Sequence, residues 1–363
     1  MIRVLRFLRG YVQHPSSIST HEDVRFEVDG EEVAATYIRR AGKAPLPGWI
    51  LLHGITVPGR HHPVLLRFAH GLASSGASVL IPDVPAWRRL QINPAKGDTT
   101  IAAAARYLNS RSDILSENLN LVGFSFGATQ ALMSAAKPGI REYIRAVVGF
   151  GGYADLGQTL HFMMTGEHEW KGVRHRTDPD PYGRWIVAGN YLTDVPGLEH
   201  MEELRRASAE LAAEVGRRGA YAAEKVHDAL KRDLRATLPK EQQELWDLLA
   251  PQFGVTPPLE PGRLLGEQLL EAAIRRTPQL DPRPLLPSLD QRIVLAHGYE
   301  DRLIPYTETL RLQELLAASQ AEVSVSITRL FAHSREAGRL RTMEYPGEIQ
   351  RYVALLQRAL RPC

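Results

Sequence analysis

The sequence predicts an α/β fold: a mainly parallel central sheet covered by helices on both faces, with a mostly helical segment inserted between sheet strands. Three observations predict it. Short runs such as Trp49 to Leu52, Ala77 to Ile81, Leu119 to Val122, Ala146 to Phe150 and Ile293 to Ala296 are almost wholly apolar, as strands buried on both faces must be. Helical patterns lie between these runs, and strand–helix alternation builds parallel sheets. The alternation stops near Tyr153 and resumes after about Pro287, so the intervening stretch reads as an insertion and not as a terminal domain.

Taken in order, Met1 to Val12 sets Arg3, Arg6 and Arg9 among Ile2, Val4, Leu5, Phe7 and Leu8. Its apolar segments are shorter than a signal-peptide core of about 7–15 residues or a spanning helix of about 20. It reads as a short amphipathic helix packed on the domain, in preference to a membrane-surface foot. Val24 to Val28 and Val33 to Ile38 alternate about Asp29-Gly30, a two-residue hairpin signal. The buried strand at Trp49 then runs into His53-Gly54-Ile55-Thr56. Val64 to Ala73 predicts a helix, Ala77 to Ile81 a strand closed by Pro82-Asp83-Val84-Pro85, and Thr99 to Leu108 a helix with an alanine-rich face.

Beyond the strand at Arg145 to Phe150, the aromatics Trp170, Tyr182, Trp185 and Tyr191 crowd together, and long helical stretches follow at Leu198 to Leu230 and Lys240 to Leu249. Prolines mark the seams. The strand at Arg292 to Ala296 leads into His297-Gly298-Tyr299-Glu300-Asp301. A helix from Thr307 to Ala318, a strand at Val323 to Ile327, a loop with His333 and a helix from Glu348 to Leu360 finish the chain. The expected division is an extension at 1–19, a core at 20–154 and 288–363, and a helical cap at 155–287.

Composition narrows the function classes. In 363 residues, 44 Lys and Arg nearly balance 41 Asp and Glu, for a formal charge of +3, too weak for a nucleic-acid binder. Cys363 is the only cysteine, so no internal disulfide can form and a cysteine-based metal site is not expected. With no segment long enough to cross a bilayer, the expectation is a cytoplasmic protein without stable membrane insertion and with a small-molecule partner. Oligomeric state is left open.

The stretch that carries chemistry is Leu119 to Ala128, where an apolar run ends in Gly123-Phe124-Ser125-Phe126-Gly127 and small, helix-favouring residues follow. A strand that turns sharply into a helix leaves no room for Cβ atoms beside the turn residue, which the two glycines satisfy. Ser125 would sit at the tip, at the amino end of a helix, where free N–H groups can stabilise a developing oxyanion.

With this stretch, the His53-Gly54 turn, the segment His297-Gly298-x-x-Asp301-x-x-Ile304-Pro305 and His333 after the last strand, the chain resembles the α/β-hydrolases. The order Ser, Asp, His is the one that family uses. The resemblance implies Ser125 as nucleophile, His333 as general base and acid, and Asp301 as the acid orienting it. It also implies an oxyanion hole from the amides of Ile55 and Phe126, each such donor contributing on the order of 3 kcal/mol. A serine hydroxyl needs a neutral imidazole to take its proton near pH 7. The implied activity is hydrolysis of a carboxylic ester or related acyl bond, with no cofactor and no metal. A peptidase, lactonase, carbon–carbon bond hydrolase or acyltransferase would use the same triad, and a non-catalytic binding protein remains a third class.

Each role has competitors. Glu300 and Asp290 rival Asp301, whose Asp-x-x-Ile-Pro context favours it. Asp83 reads as a structural loop acid, His53 as a brace for the oxyanion turn beside Gly54, and His297 as a structural strand-end histidine. His61-His62 lacks partners at metal-ligand spacing. Arg88-Arg89 and Arg205-Arg206 read as solvated charges. Trp170 and Trp185 are candidates for an apolar acyl pocket, although the cap's own core is the commoner use of such residues.

Overall fold

The computed structural model describes residues 1–13, 19–42, 44–219, 222–330 and 346–361, the side chains of 116–118 and 346 excepted. The chain opens with helix α1 (Ile2–Gln13) and the hairpin β1 (Ser19–Val28) and β2 (Glu31–Arg40). Asp29 and Gly30 between them both have positive φ, 53° and 82°, the turn geometry whose twist suits a two-residue hairpin. There follow β3 (Leu46–Leu52), α2 (Pro63–Ser75), β4 (Ser78–Pro82), α3 (Pro85–Arg88), α4 (Pro94–Asn109), β5 (Ile114–Phe124), α5 (Phe126–Ala135) and β6 (Ile144–Phe150).

Between β6 and the next strand of the main sheet the chain is mostly helical. It runs through α6 (Leu156–Thr165), a hairpin of β7 (Glu167–Trp170) and β8 (Val173–Arg176), α7 (Tyr182–Tyr191), α8 (Glu202–Arg218), α9 (Asp228–Thr237), α10 (Lys240–Leu249) and α11 (Leu259–Arg276). The sheet is then completed by β9 (Arg292–Gly298), α12 (Thr307–Leu316), β10 (Val323–Thr328) and α13 (Pro346–Ala359).

The eight-stranded sheet has the order β1-β2-β4-β3-β5-β6-β9-β10. Its first two ladders are antiparallel and the remainder parallel. Both faces of its centre are buried, which explains the unbroken apolar runs. Ile50, Leu52, Leu121, Val147 and Ile293 face one apolar layer with α4 and α5. Trp49, Leu51, Val122, Val148 and Val294 face the other, with α1, α2 and α13. A third apolar cluster, including Trp185, Tyr191, Leu204, Leu211, Trp246 and Leu269, belongs to the helical segment, and Ile55, Val57 and Phe126 from the strand ends pack against it. Among the described residues no helix is long and apolar enough to cross a membrane.

Several local expectations are corrected. The predicted helical stretch from Leu198 to Leu230 is two helices, because Gly219 ends α8 in the left-handed conformation, φ 67°, and α9 starts only at Asp228. The β7–β8 hairpin was not expected; its turn, Lys171-Gly172, has φ of 50° and 81°, the same device as Asp29-Gly30 without flanking apolar alternation to reveal it. Helix α4 begins at Pro94 and not at Thr99, since the Asn93 side chain accepts from the Lys96 amide and caps it.

Candidate active site

The carboxyl-terminal ends of β3, β5 and β9 deliver the His53-Gly54 turn, Ser125 and the loop holding Asp301 to one edge of the sheet, where ligands of such sheets bind. Ser125 sits between β5 and α5 with φ 58° and ψ −129°, a strained conformation for a residue with a side chain, costing about 1–3 kcal/mol. Tertiary contacts hold it there: its amide donates to the Phe150 carbonyl (2.8 Å), and its carbonyl accepts from Ala128 (2.8 Å).

The glycines around Ser125 answer a crowding problem. A Cβ on Gly123 would lie 2.6 Å from the Ala128 Cα and closer still to the Gly127 carbonyl, and one on Gly127 would lie 2.5 Å from the His53 carbonyl oxygen. The elbow and the His53-Gly54 turn are therefore packed backbone to backbone. Gly54 lies directly against Ser125, since a Cβ there would be 3.1 Å from the Ser125 Cβ and 3.5 Å from its Oγ. Phe126 is the first residue of α5, so its amide is one of the four that a helix leaves without an internal partner. The side chains of Ile55 and Phe126 both pack against Val84, Ala86 and Trp87, which brings the two expected oxyanion residues to one place.

His53 ties this turn to the next loop. Its Nδ1 lies 2.6 Å from the Gly54 carbonyl and its Nε2 accepts from the Val84 amide at 3.1 Å, so the partners assign the proton to Nδ1. Burial lowers its pKa to about 4, against the pull of the Gly54 carbonyl, and the ring is neutral near pH 7. The imidazole stands edge-to-face on Trp87, which stands edge-to-face on Phe126. Trp87 and the Val84 amide were not found from the sequence, where nothing distinguishes them from other loop residues.

Asp301 is buried, and its Oδ1 accepts from the amides of Leu303 (2.9 Å) and Ile304 (3.0 Å). Its Oδ2 is 3.4 Å from His297 Nε2. The two rival acids are exposed and paired elsewhere, Glu300 with Arg329 and Asp290 with Arg141. His297 is enclosed, with Nδ1 2.7 Å from the Thr309 hydroxyl and Nε2 2.9 Å from the Ile304 carbonyl, and so braces the acid loop. Asp83 is held by the Arg60 amide and guanidinium and by Arg88. His333 lies outside the described residues. Strand β10, which precedes it, ends at Thr328 beside Gly298, and the Tyr299 amide donates to the Thr328 carbonyl (2.8 Å).

The two tryptophans lie in different settings. Trp185 is fully buried in the core of the helical segment, its indole N–H on the Leu249 carbonyl (2.8 Å), and so it does not line a pocket. Trp170 lies on the β7–β8 hairpin beneath Lys171 and Arg311. Arg205 and Arg206 pair with Glu202 along α8. Among the described residues no group of three or more His, Cys, Asp or Glu side chains converges where a metal ion would sit.

One buried acid escaped the sequence reading. Glu308, at the start of α12, accepts from the amides of Ala154 (3.0 Å) and Asp155 (2.7 Å) and from Arg311 (3.1 Å). It thereby ties the chain's exit from β6 to the acid side of the sheet. Burial raises its pKa to about 7 despite those donors. In sequence it looks like an ordinary first-turn helix acid.

No protein-family model matches the sequence, and no curated protein matches it. Solved structures do. The chain is similar to the acylaminoacyl peptidase of Pyrococcus horikoshii at 12% identity and a TM-score of 0.52, covering 97% of this chain and 42% of that one. It thus spans less than half the length of that peptidase. It is similar to brefeldin A esterase, a bacterial homologue of human hormone-sensitive lipase (16% identity, TM-score 0.52, 96% of this chain and 80% of that). Esterase Est22 is similar too (14% identity, TM-score 0.52, 98% and 86%). At such identities the likeness is one of architecture, and it agrees with the mainly parallel sheet and its covering helices: this chain has the α/β-hydrolase fold.

Proposed function

We propose that the protein is a serine hydrolase that cleaves a carboxylic ester or related acyl bond through an acyl-enzyme intermediate. The observation that carries this reading is the strained Ser125 at the strand-to-helix turn, with the Gly54 turn packed 3.5 Å from its Oγ as measured from the ideal Cβ position. Such strain persists where function requires it. Ser125 attacks the acyl carbon, and His333 takes the hydroxyl proton and passes it to the leaving group. Asp301 orients the imidazole and stabilises its charged form. The amides of Ile55 and Phe126 receive the oxyanion. A water then attacks the acyl-enzyme with His333 again as base, releasing the acid and restoring Ser125.

The named likenesses, a peptidase and two esterases, support acyl transfer as the reaction class. In this reading residues 155–287 form a cap over the site and residues 20–154 with 288–363 the catalytic core, supported by the separate apolar cluster of the helical segment. Its contact with Ile55, Val57 and Phe126 supports substrate selection at that seam. The test is fluorophosphonate labelling together with hydrolysis of a p-nitrophenyl acyl series. Ser125→Ala is expected to abolish labelling, and His333→Ala to reduce turnover by at least about 100-fold. Full-strength labelling of the Ser125 variant would remove Ser125 from the nucleophile role.

A further inference from the structure

We propose that α1 is a peripheral docking element for an anionic lipid surface. The helix is firmly seated by one face. Val4, Phe7 and Gly10 are buried. A Cβ on Gly10 would lie 2.6 Å from the Ser74 Cβ and 2.7 Å from the His70 carbonyl oxygen, and one on Gly71 would lie 2.8 Å from the Phe7 ring. The Phe7 ring also stands edge-to-face on Phe68 at 5.1 Å.

The opposite face is not the polar one that a water-facing helix presents. Ile2, Leu5 and Val12 are 66%, 60% and 73% exposed. At 100° per residue these three fall within an arc of about 80°, with Arg9 among them and Arg6 at its margin. The helix carries Arg3, Arg6 and Arg9 and no acidic residue. An open surface groove lined by Ile2, Val4, Leu360, Arg3 and Arg361 runs between α1 and the end of α13. Bulky apolar side chains interleaved with arginines fit the headgroup–acyl boundary of a membrane, where the apolar groups leave water and the cations meet anionic headgroups.

Charge selects lipid over a second copy of the chain. A two-fold pairing of this face would bring Arg6 and Arg9 of one copy against those of the other with no acid on the helix to offset them. The docking is independent of the chemistry proposed at Ser125. It requires no spanning helix.

The experiment is co-sedimentation of the full chain with vesicles of phosphatidylcholine alone and with 30 mol % phosphatidylserine added. Circular dichroism and esterase assays run alongside on every variant. The wild type is expected to partition at least about tenfold more strongly onto the serine-lipid vesicles and to be released by 0.5 M NaCl, which screens the arginines. The double variant Leu5→Glu, Val12→Glu, both exposed sites, is expected to stay in solution with unchanged circular dichroism, and Arg6→Gln with Arg9→Gln to lose the lipid preference. Four results would overturn the proposal: a wild type that remains in the supernatant, equal binding to both vesicle types, a glutamate variant that binds as the wild type does, or a wild-type dimer dissolved by the glutamate substitutions.

Discussion

Replacing Gly54 by alanine would place one methyl group between the His53-Gly54 turn and Ser125. The new carbon would stand 3.1 Å from the Ser125 Cβ, 3.3 Å from the Phe124 carbonyl and 3.5 Å from the Ser125 Oγ. Gly54 is not among the residues with positive φ, so alanine adopts its backbone without strain, and neighbours must yield only a few tenths of an ångström. A stability cost of about 1–3 kcal/mol follows, a shift in Tm of roughly 2–10 °C for a chain of this size. In the proposed mechanism the same methyl fills space through which an acyl carbonyl passes to reach Oγ. Displacing reacting atoms by about 1 Å costs on the order of 100-fold, and losing one oxyanion donor costs about 10²–10³. The expected result is a folded protein whose kcat/KM on p-nitrophenyl acetate falls at least about 100-fold. Gly123→Ala is the contrast: its Cβ meets the Ala128 Cα at 2.6 Å and the Gly127 carbonyl closer still. Those backbone atoms cannot swing aside, so destabilisation of several kcal/mol is expected. A Gly54→Ala protein within threefold of wild-type kcat/KM would refute the placement of the substrate carbonyl beside this turn.

Three further outcomes are expected. Asp301→Asn preserves an acceptor for the Leu303 and Ile304 amides and so should fold, while kcat drops by about 10²–10⁴ as the imidazole loses its orienting charge; steady-state kinetics showing less than a tenfold loss would count against Asp301. The His53 pKa lies near 4 in the fold, below the usual 6.5, so its contribution is present above pH 6.5 and is lost as pH falls through 4, on the order of 3 kcal/mol. Urea unfolding of His53→Gln across that window should show a flatter pH dependence than wild type, and an unchanged slope would contradict it. Glu308 has the opposite sign: its pKa is raised to about 7, so its contribution is full below pH 4.5 and is lost as pH rises through 7. The urea midpoint of Glu308→Gln, which keeps an acceptor for Ala154 and Asp155, should decline less between pH 5 and 8 than that of wild type, and an equal decline would dismiss the buried charge as the cause.

The parts legible in the sequence are those set by neighbours along the chain. Apolar runs such as Trp49 to Leu52 announced strands buried on two faces because each residue must lose water whichever way it points. Asp29-Gly30 announced a hairpin because few residue pairs accept two positive φ values in succession. The Gly-x-Ser-x-Gly stretch was readable for the same reason, since the crowding of Gly123 against Ala128 is a contact five residues away. What required the tertiary structure depends on partners brought from far along the chain. The local context favoured Asp301 over Glu300, but its burial rests on which of two adjacent carboxylates turns inward. The Val84 amide on His53 and the Ala154 and Asp155 amides on Glu308 join residues 31 and more than 150 positions apart, and no local pattern encodes such pairings.

Helix α1 shows both levels in one element. Its alternation of arginine and apolar side chains predicted an amphipathic helix, and it is one. Which apolar residues are spent on the core and which remain on the outside was decided by the groove of α2, where Gly10 and Gly71 allow a close approach on one side only. The chain by itself determined the layered sheet and the strained strand-to-helix turn at Ser125, because periodicity and steric crowding act over a few residues. Only the assembled fold decided the protonation of His53, the burial of Asp301 and Glu308 and the outward face of α1, because desolvation and hydrogen bonding depend on what the rest of the chain puts beside each group.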